Sequence, residues 1–330
     1  MAEFLTFDTD LTAVANAIRA KGGTSAQLVY PSGFVSAIQA IQTGITPKLV
    51  VTTTPGAAIT ATPAEGFKVV KGTAGADGMC TLELPKAGTW HVTAMANSVS
   101  NSQHIVIGTQ NMLLPLYHDT FANNTWEEII TVCRTGIAPD SWAVGDSKTM
   151  NIGGTAYQVD IIGKNHDEYA DGSGTAPLTF QLHDCYSEAK QMYSTNLSGL
   201  GWKNTDMRLT YLPAILALMP AEVQNGIRAV NKKTSEGGNS TTIETVSDTL
   251  FLLSEVEIFG TASSSVAGEG SQYDYYKAGN PKIKKREGVD EFWWERSSAS
   301  GGMFCRVRAN GQAGASNASS SLGVSFAFCF

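Results

Sequence analysis

Three groups of residues have the types that chemistry requires. The loop His166-Asp167-Glu168-Tyr169-Ala170-Asp171-Gly172 concentrates hard oxygen donors ahead of a glycine, as calcium loops do. It lacks the Asp-x-Asp-x-Asp-Gly order and a distal bidentate glutamate, so a hydrogen-bonded loop is the expected role and no metal is assigned. His166, and His183 beside Asp184, pair imidazole with carboxylate as acid–base chemistry would, and Glu168, Asp171 and Asp184 offer a glycosidase-like carboxylate pair. No nucleophile stands at a strand-to-helix elbow and nothing fixes a carboxylate separation, so no catalytic residue is assigned and no enzyme is expected. The cysteines, Cys80, Cys133, Cys185, Cys305 and Cys329, are odd in number and never spaced as CxxC or CxH. They are expected as buried free thiols, with Cys305 and Cys329 close enough in the terminal unit to be neighbours. No cofactor is expected.

Recognition has better candidates. From Gly302 to Ala309 the pattern is period two: Met303, Cys305, Val307 and Ala309 on one face, Phe304, Arg306 and Arg308 on the other. With the apolar set inward, the outward set is Phe304, Arg306, Arg308 and Asn310. Arginine and aromatic residues are enriched at binding hot spots. The Ser/Ala/Gly/Asn tract from Asn310 to Ser321 is expected as a pinned loop, through which Gln312, Ser316 and Asn317 supply adaptable polar contacts. On the residues alone, an ordinary solvated strand face is the equal alternative. Val324, Phe326, Phe328 and Phe330 share one face of a terminal strand that a sheet must bury. Trp293 and Trp294 would take opposite faces of a strand, one core and the other core or a stacking platform.

The same stretch resembles the C-terminal signature of a family of domains in bacterial surface and phage tail proteins, W-W-x-R-S followed by a Ser/Asn/Gly tract and G-V-x-x-x-F-C. Here those are Trp293, Trp294, Arg296 and Ser297, then Gly323, Val324, Phe328 and Cys329. Many surface-protein members have R-S-P and G-V-R-P, where this chain has Ser298 and Ser325-Phe326, which favours the phage-tail branch. The resemblance implies a variant C-type-lectin fold used by phage receptor-binding proteins, some diversified by retroelements that rewrite codons in such a tract. It also raises the formylglycine-generating oxidases of the same fold, which use two cysteines.

The elements that would position these residues follow in chain order. Helical stripes at Leu11–Ile18 and Phe34–Ile41, in a stretch that resembles a short N-terminal module of phage tail proteins, are too few to bury themselves. They bundle in an oligomer, dock on a virion, or pack on their own chain. Alternating strands at Leu49–Thr53, Ala57–Thr62, Phe67–Val70, Met79–Leu84, Trp90–Ala96 and His104–Ile107 resemble an immunoglobulin-like spacer with Trp90 in its core. Beyond it come a capping box at Thr125–Glu128, a hairpin turned at Gly153-Gly154, helix around Met207–Leu218, a strand at Leu250–Leu253 and a capping box at Ser254–Glu257. The expected fold class is α+β, with a helical attachment or oligomerisation module at 1–46, an immunoglobulin-like β-sandwich at 47–109 and a C-type-lectin-like ligand-binding domain at 110–330.

In 330 residues, 16% are charged and the net charge is -7, which argues against nucleic acid as a partner. No window reaches transmembrane length, so no membrane insertion is expected, and MAEFLTFDTD lacks the basic and apolar regions of a signal peptide. The chain is therefore expected to be made in a cytoplasm, which fits a virion component released by lysis and equally any cytosolic protein; the resemblance implies the virion tail, made in a host cytoplasm. The resemblance implies a tail fibre or receptor-binding protein, a homotrimer that contacts other tail proteins and a host-surface protein or glycan. An enzyme on the same fold and a purely structural tail component are the alternatives.

Overall fold

A computed structural model describes residues 8–20, 27–28, 34, 47–64, 68–85, 87–107, 111–238 and 240–330. The chain divides into two units, Met1–Leu116 and Tyr117–Phe330. Both are dominated by sheet with few and short helices, an α+β organisation.

In the first unit, α1 (Asp8–Ala20) buries Ala15 and Ile18 against Phe34, with Leu11 and Leu28 packed alongside. That is the expected first stripe; the second, Phe34–Ile41, lies outside the described residues except for Phe34. Seven strands follow: β1 (Lys48–Thr52), β2 (Ala58–Pro63), β3 (Val70–Thr73), β4 (Met79–Glu83), β5 (Gly88–Ala96), β6 (Val99–Ile107) and β7 (Asn111–Leu113). They form sheets of order β4-β1-β7 and β3-β2-β5-β6 around one core, with Trp90 1% exposed at its centre. Alternation explains the burial. In β4 every second residue points inward, and in β1 Leu49 and Val51 are fully buried. β7 pairs in parallel with β1, and Leu114 and Leu116 join the core, so this unit extends past the expected boundary at 109. His91 and His104 face each other across β5 and β6 with rings stacked 4.5 Å apart.

The second unit opens with α2 (Trp126–Cys133), whose Thr125–Glu128 capping box is formed in both directions. Strands β8 (Ser147–Ile152), β9 (Thr155–Lys164) and β10 (Leu178–Leu182) form a four-stranded sheet with β18 (Ala327–Cys329), in the order β18-β10-β9-β8. All of β10 and β18 is buried, and the Tyr169 hydroxyl donates to the Phe330 carbonyl at 2.6 Å. The end of the chain thus closes this sheet, as its apolar run requires. Leu250–Leu253 is buried but makes only one bridge, Phe251 to Ala327, instead of the expected strand. Pro213 lies in the first turn of α3 (Leu212–Leu216), after a π-helical turn from Met207 to Tyr211, and α4 (Ala221–Gly226) follows.

Four further pieces set up the candidate surface. β11 (Val230–Ser235) pairs with β12 (Ile243–Asp248), and α5 (Glu255–Phe259) begins at the second capping box, Ser254–Glu257, also formed in both directions. After α6 (Asp274–Lys277), β13 (Lys284–Arg286) and β14 (Val289–Glu291) make a small hairpin. Then β15 (Trp293–Ser298), β16 (Met303–Val307) and β17 (Ala313–Asn317) make an antiparallel sheet in sequence order. The Ser/Asn/Gly tract is therefore not one loop. Its middle is a strand because the small residues Ala313, Gly314 and Ala315 lie flat against β16, and Gly311, at φ +81°, supplies the turn that returns the chain.

Candidate ligand-binding surface

The root of the β16–β17 hairpin is held by buried charges. β15 is buried along its length, and its ladder to β16 is interrupted between Trp294 and Ser298. Such a bulge re-aims side chains, here Glu295, Arg296 and Ser297. Arg296 donates to both carboxylate oxygens of Glu257, at 2.5 and 2.9 Å, and to the carbonyls of Leu252, Lys233 and Glu269. Lys232 joins Glu257 at 2.8 Å to Asp167 at 2.6 Å, and the Tyr273 hydroxyl completes the cluster by donating to Asp167. Burial pushes Asp167 and Glu257 up, but Lys232 and, for Glu257, Arg296 outweigh it and hold both carboxyls below their usual range. Glu269 is different. Burial outweighs its hydrogen bonds from Ser297, Ser235 and Thr234 and raises it.

The two halves of the sequence signature meet here. Trp293 and Trp294 are both fully buried, and their indole nitrogens donate to the carbonyls of Lys282 and Lys190. Neither is a stacking platform. The Trp294 amide donates to Gly323, and the Gly323 amide donates to Phe292. Gly323 is required by this approach, since a Cβ there would lie 2.6 Å from the Cys185 sulfur.

Of the seven expected ligand-binding residues, the structure assembles most but not all. Phe304 is fully buried, with its ring centroid 6.1 Å from that of Tyr193, which corrects its assignment to the outward face. Strict alternation fails there because both faces of β16 are covered at that end; Cys305, its neighbour, is also fully buried. Arg306 and Arg308 remain at the surface. The Arg306 guanidinium carbon lies 4.1 Å from the centre of the Phe292 ring, and its Nε donates to the Ala315 carbonyl at 3.1 Å. Arg308 is exposed, and its Nε donates to the Ala313 carbonyl at 3.1 Å. Asn310 and Gln312 are exposed at the turn and bonded to each other, so they form a fixed pair instead of an adaptable one. Ser316 is half-buried opposite Phe304. Asn317 is exposed but stands opposite Met303, on the other face of the ladder from Arg306 and Ser316.

The residues read for catalysis disperse. Asp167 belongs to the buried cluster, whereas Asp171 is exposed and bonded to Arg228 and Ser173, which hold its carboxyl down to about 2. Among the described residues no group of three or more His, Cys, Asp or Glu has the geometry to hold a metal ion. His183 bonds Asp160 at 2.7 Å in place of its neighbour Asp184, and that bond raises its pKa. Ser147 donates to the other oxygen of Asp160, so its hydroxyl is not aligned with the imidazole as a nucleophile would be. All five cysteines are buried and free. Cys305 faces Glu255 at 3.9 Å, whereas Cys329 lies 3.5 Å from the Thr179 hydroxyl, in a different sheet. Burial pushes both thiols up. A cleft of this unit is lined by Arg208, Leu212, Pro213, Ser247 and Asp248. Its arginine is occupied by Asp248 and the carbonyls of Lys203 and Ser247.

The buried cluster was not foreseen from the sequence. The signal was present, since an uninterrupted Glu-Arg-Ser-Ser after two tryptophans places charges where alternation puts no outward face. Residues 179–330 match the family model described as Domain of unknown function (DUF6273). No curated protein and no solved structure matches the chain.

Proposed function

We propose that this chain is a phage tail protein whose second unit recognises a host-surface ligand through the β16–β17 hairpin, without turning it over. The observation that carries this reading is the contrast between root and tip. The root is fixed by fully buried tryptophans and ion pairs, while the tip presents Arg306, Arg308, Asn310 and Gln312 on backbone held by a type of turn that needs Gly311. A rigid scaffold with exposed polar and cationic side chains at its end suits binding. Thiols that burial keeps protonated, and that lie in separate sheets, do not suit an oxidase of two cooperating cysteines.

On this reading the second unit is a C-type-lectin-like variant and residues 47–116 are an immunoglobulin-like spacer. The N-terminal module at residues 1–46 serves trimer formation or attachment to other tail proteins, and the protein resides in the virion tail. Exchange of hairpin side chains by a retroelement would alter the ligand and spare the core. An adjacent DNA repeat that differs from this region only at adenines tests that last point, and its absence removes it. The reading as a whole is tested by incubating the full chain with a panel of intact bacterial cells. The wild type is expected to adsorb to some strain, and Arg308→Ala/Asn310→Ala/Gln312→Ala to lose adsorption with an unchanged unfolding midpoint. A folded triple variant that adsorbs fully places the site elsewhere.

A further inference from the structure

The second unit treats its arginines in two ways. Arg208, Arg228, Arg286 and Arg296 each hold a carboxylate, at 2.5 to 2.9 Å. Among the described residues Arg306 and Arg308 hold none, as is also true of the exposed Arg134 at the end of α2. Among the described residues the hydrogen bonds of Arg306 and Arg308 go from Nε to the backbone carbonyls of Ala315 and Ala313. That bonding uses the inner edge of each guanidinium and leaves both Nη groups unbonded, in a fork suited to bidentate contact with an oxyanion. Partial burial, and after it the neighbouring charge of Arg308, lower the pKa of Arg306. Repulsion between like charges that have no acid paired to them among the described residues is a cost that a bound anion removes.

The floor beneath them is built to hold this arrangement. Gly314 stands opposite Arg306 in the ladder, and a Cβ there would lie 2.7 Å from the Arg308 Nε. The missing side chain lets Arg308 lie across β17, beside Arg306, which rests on Phe292. Between Met303 and Asn317 no large apolar or aromatic side chain is exposed. Protein partners are commonly anchored by such groups, whereas Asn310, Gln312 and Ser316 offer donors and acceptors that suit hydroxyl groups.

We infer that the hairpin binds an anionic glycan, receiving a carboxylate or phosphate of the polymer between Arg306 and Arg308. The inference rests on the hairpin being the recognition surface and names its ligand class. The test titrates the full chain with polygalacturonate, a glycerol-phosphate polymer and neutral dextran, at low and at physiological salt. An anionic polymer is expected to bind, more weakly as salt rises, and dextran not to bind. Arg306→Gln/Arg308→Gln should weaken binding at least about tenfold, the loss of one charge-assisted contact. Gly314→Ala, which keeps both charges and displaces Arg308, should weaken it severalfold. Carboxylate and phosphate sources separate by which polymer binds. If the double variant binds the anionic polymers like the wild type, or no anionic polymer binds the wild type, the inference is overturned. Cell adsorption that survives Arg306→Gln/Arg308→Gln but not Asn310→Ala/Gln312→Ala also overturns it, and leaves recognition by the hairpin standing. Equal displacement by double-stranded DNA would mean unspecific attraction and overturns it too.

Discussion

Glu295 should make this protein less stable as the solution becomes less acidic. It is fully buried on β15, and neither carboxyl oxygen has a hydrogen-bond partner among the described residues. Burial, and then the neighbouring Glu255 and Glu269, raise its pKa well above the ordinary 4.5. The folded chain therefore keeps a proton that the unfolded chain releases above about pH 4.5. Wherever the native state binds the extra proton, stability falls by about 1.4 kcal/mol per pH unit, until the folded carboxyl itself ionises. Glu295→Gln removes this dependence while keeping shape and neutrality. Because Glu295 is uncharged when folded, the substitution leaves the field at Glu269 and Glu257 almost unchanged. The opposing contributions of Asp167, Glu257 and Glu255, whose carboxyls are held low, are lost only as pH falls through their folded values. Urea unfolding followed by tryptophan fluorescence is the assay, since every tryptophan except Trp90 lies in the second unit. The variant should gain on the wild type by about 1.4 kcal/mol per unit above about pH 5. Parallel stability curves from about pH 5 to pH 8 would refute the assignment of a buried neutral acid.

Other expectations follow from the same structure. Arg296→Leu removes one of the two cations bonded to Glu257, leaving Lys232, and should cost about 3 kcal/mol by denaturant titration, the lower end of the range for breaking a buried pair from one side. Thr125→Ala removes one arm of the first capping box and should cost about 1 kcal/mol, read from the unfolding midpoint. The His183–Asp160 bond raises the histidine, so its stabilisation is present below about pH 6.5 and fades as pH rises through the folded value. His183→Asn should abolish that fade without affecting adsorption to cells. Light scattering should find an oligomer, and a single mass of 35.0 kDa at micromolar concentration rules out the proposed trimer.

Local chemistry was the most legible layer of this sequence. Both capping boxes, the Gly153-Gly154 hairpin and the inward Trp90 are set by residues within a few positions of one another, and each is present. What failed depended on packing and pairing that residue types alone do not carry. Phe304 alternates correctly along β16, but the segment carrying Tyr193 covers its face, a contact separated by more than a hundred positions. Asn310 to Ser321 reads as loop because Ala, Gly and Ser have low strand preference. Pairing to β16 overrides that preference between Ala313 and Asn317. The pair Arg306 and Arg308 was visible from spacing alone, whereas the lack of acids around them required the fold. So did the buried cluster, whose members Asp167, Lys232, Glu257 and Arg296 come from a loop, two strands and a helix far apart in the chain.

The central claim is that the hairpin tip is where the ligand sits. Hydroxyl-radical footprinting of the full chain, with and without envelopes of an adsorbing strain, measures this directly. Protection is expected at Arg306, Arg308, Asn310 and Gln312, with no change at Arg208 and the exposed Leu209 around the cleft of the same unit. Protection confined to that cleft or to the first unit, with the hairpin equally oxidised in both samples, would contradict it.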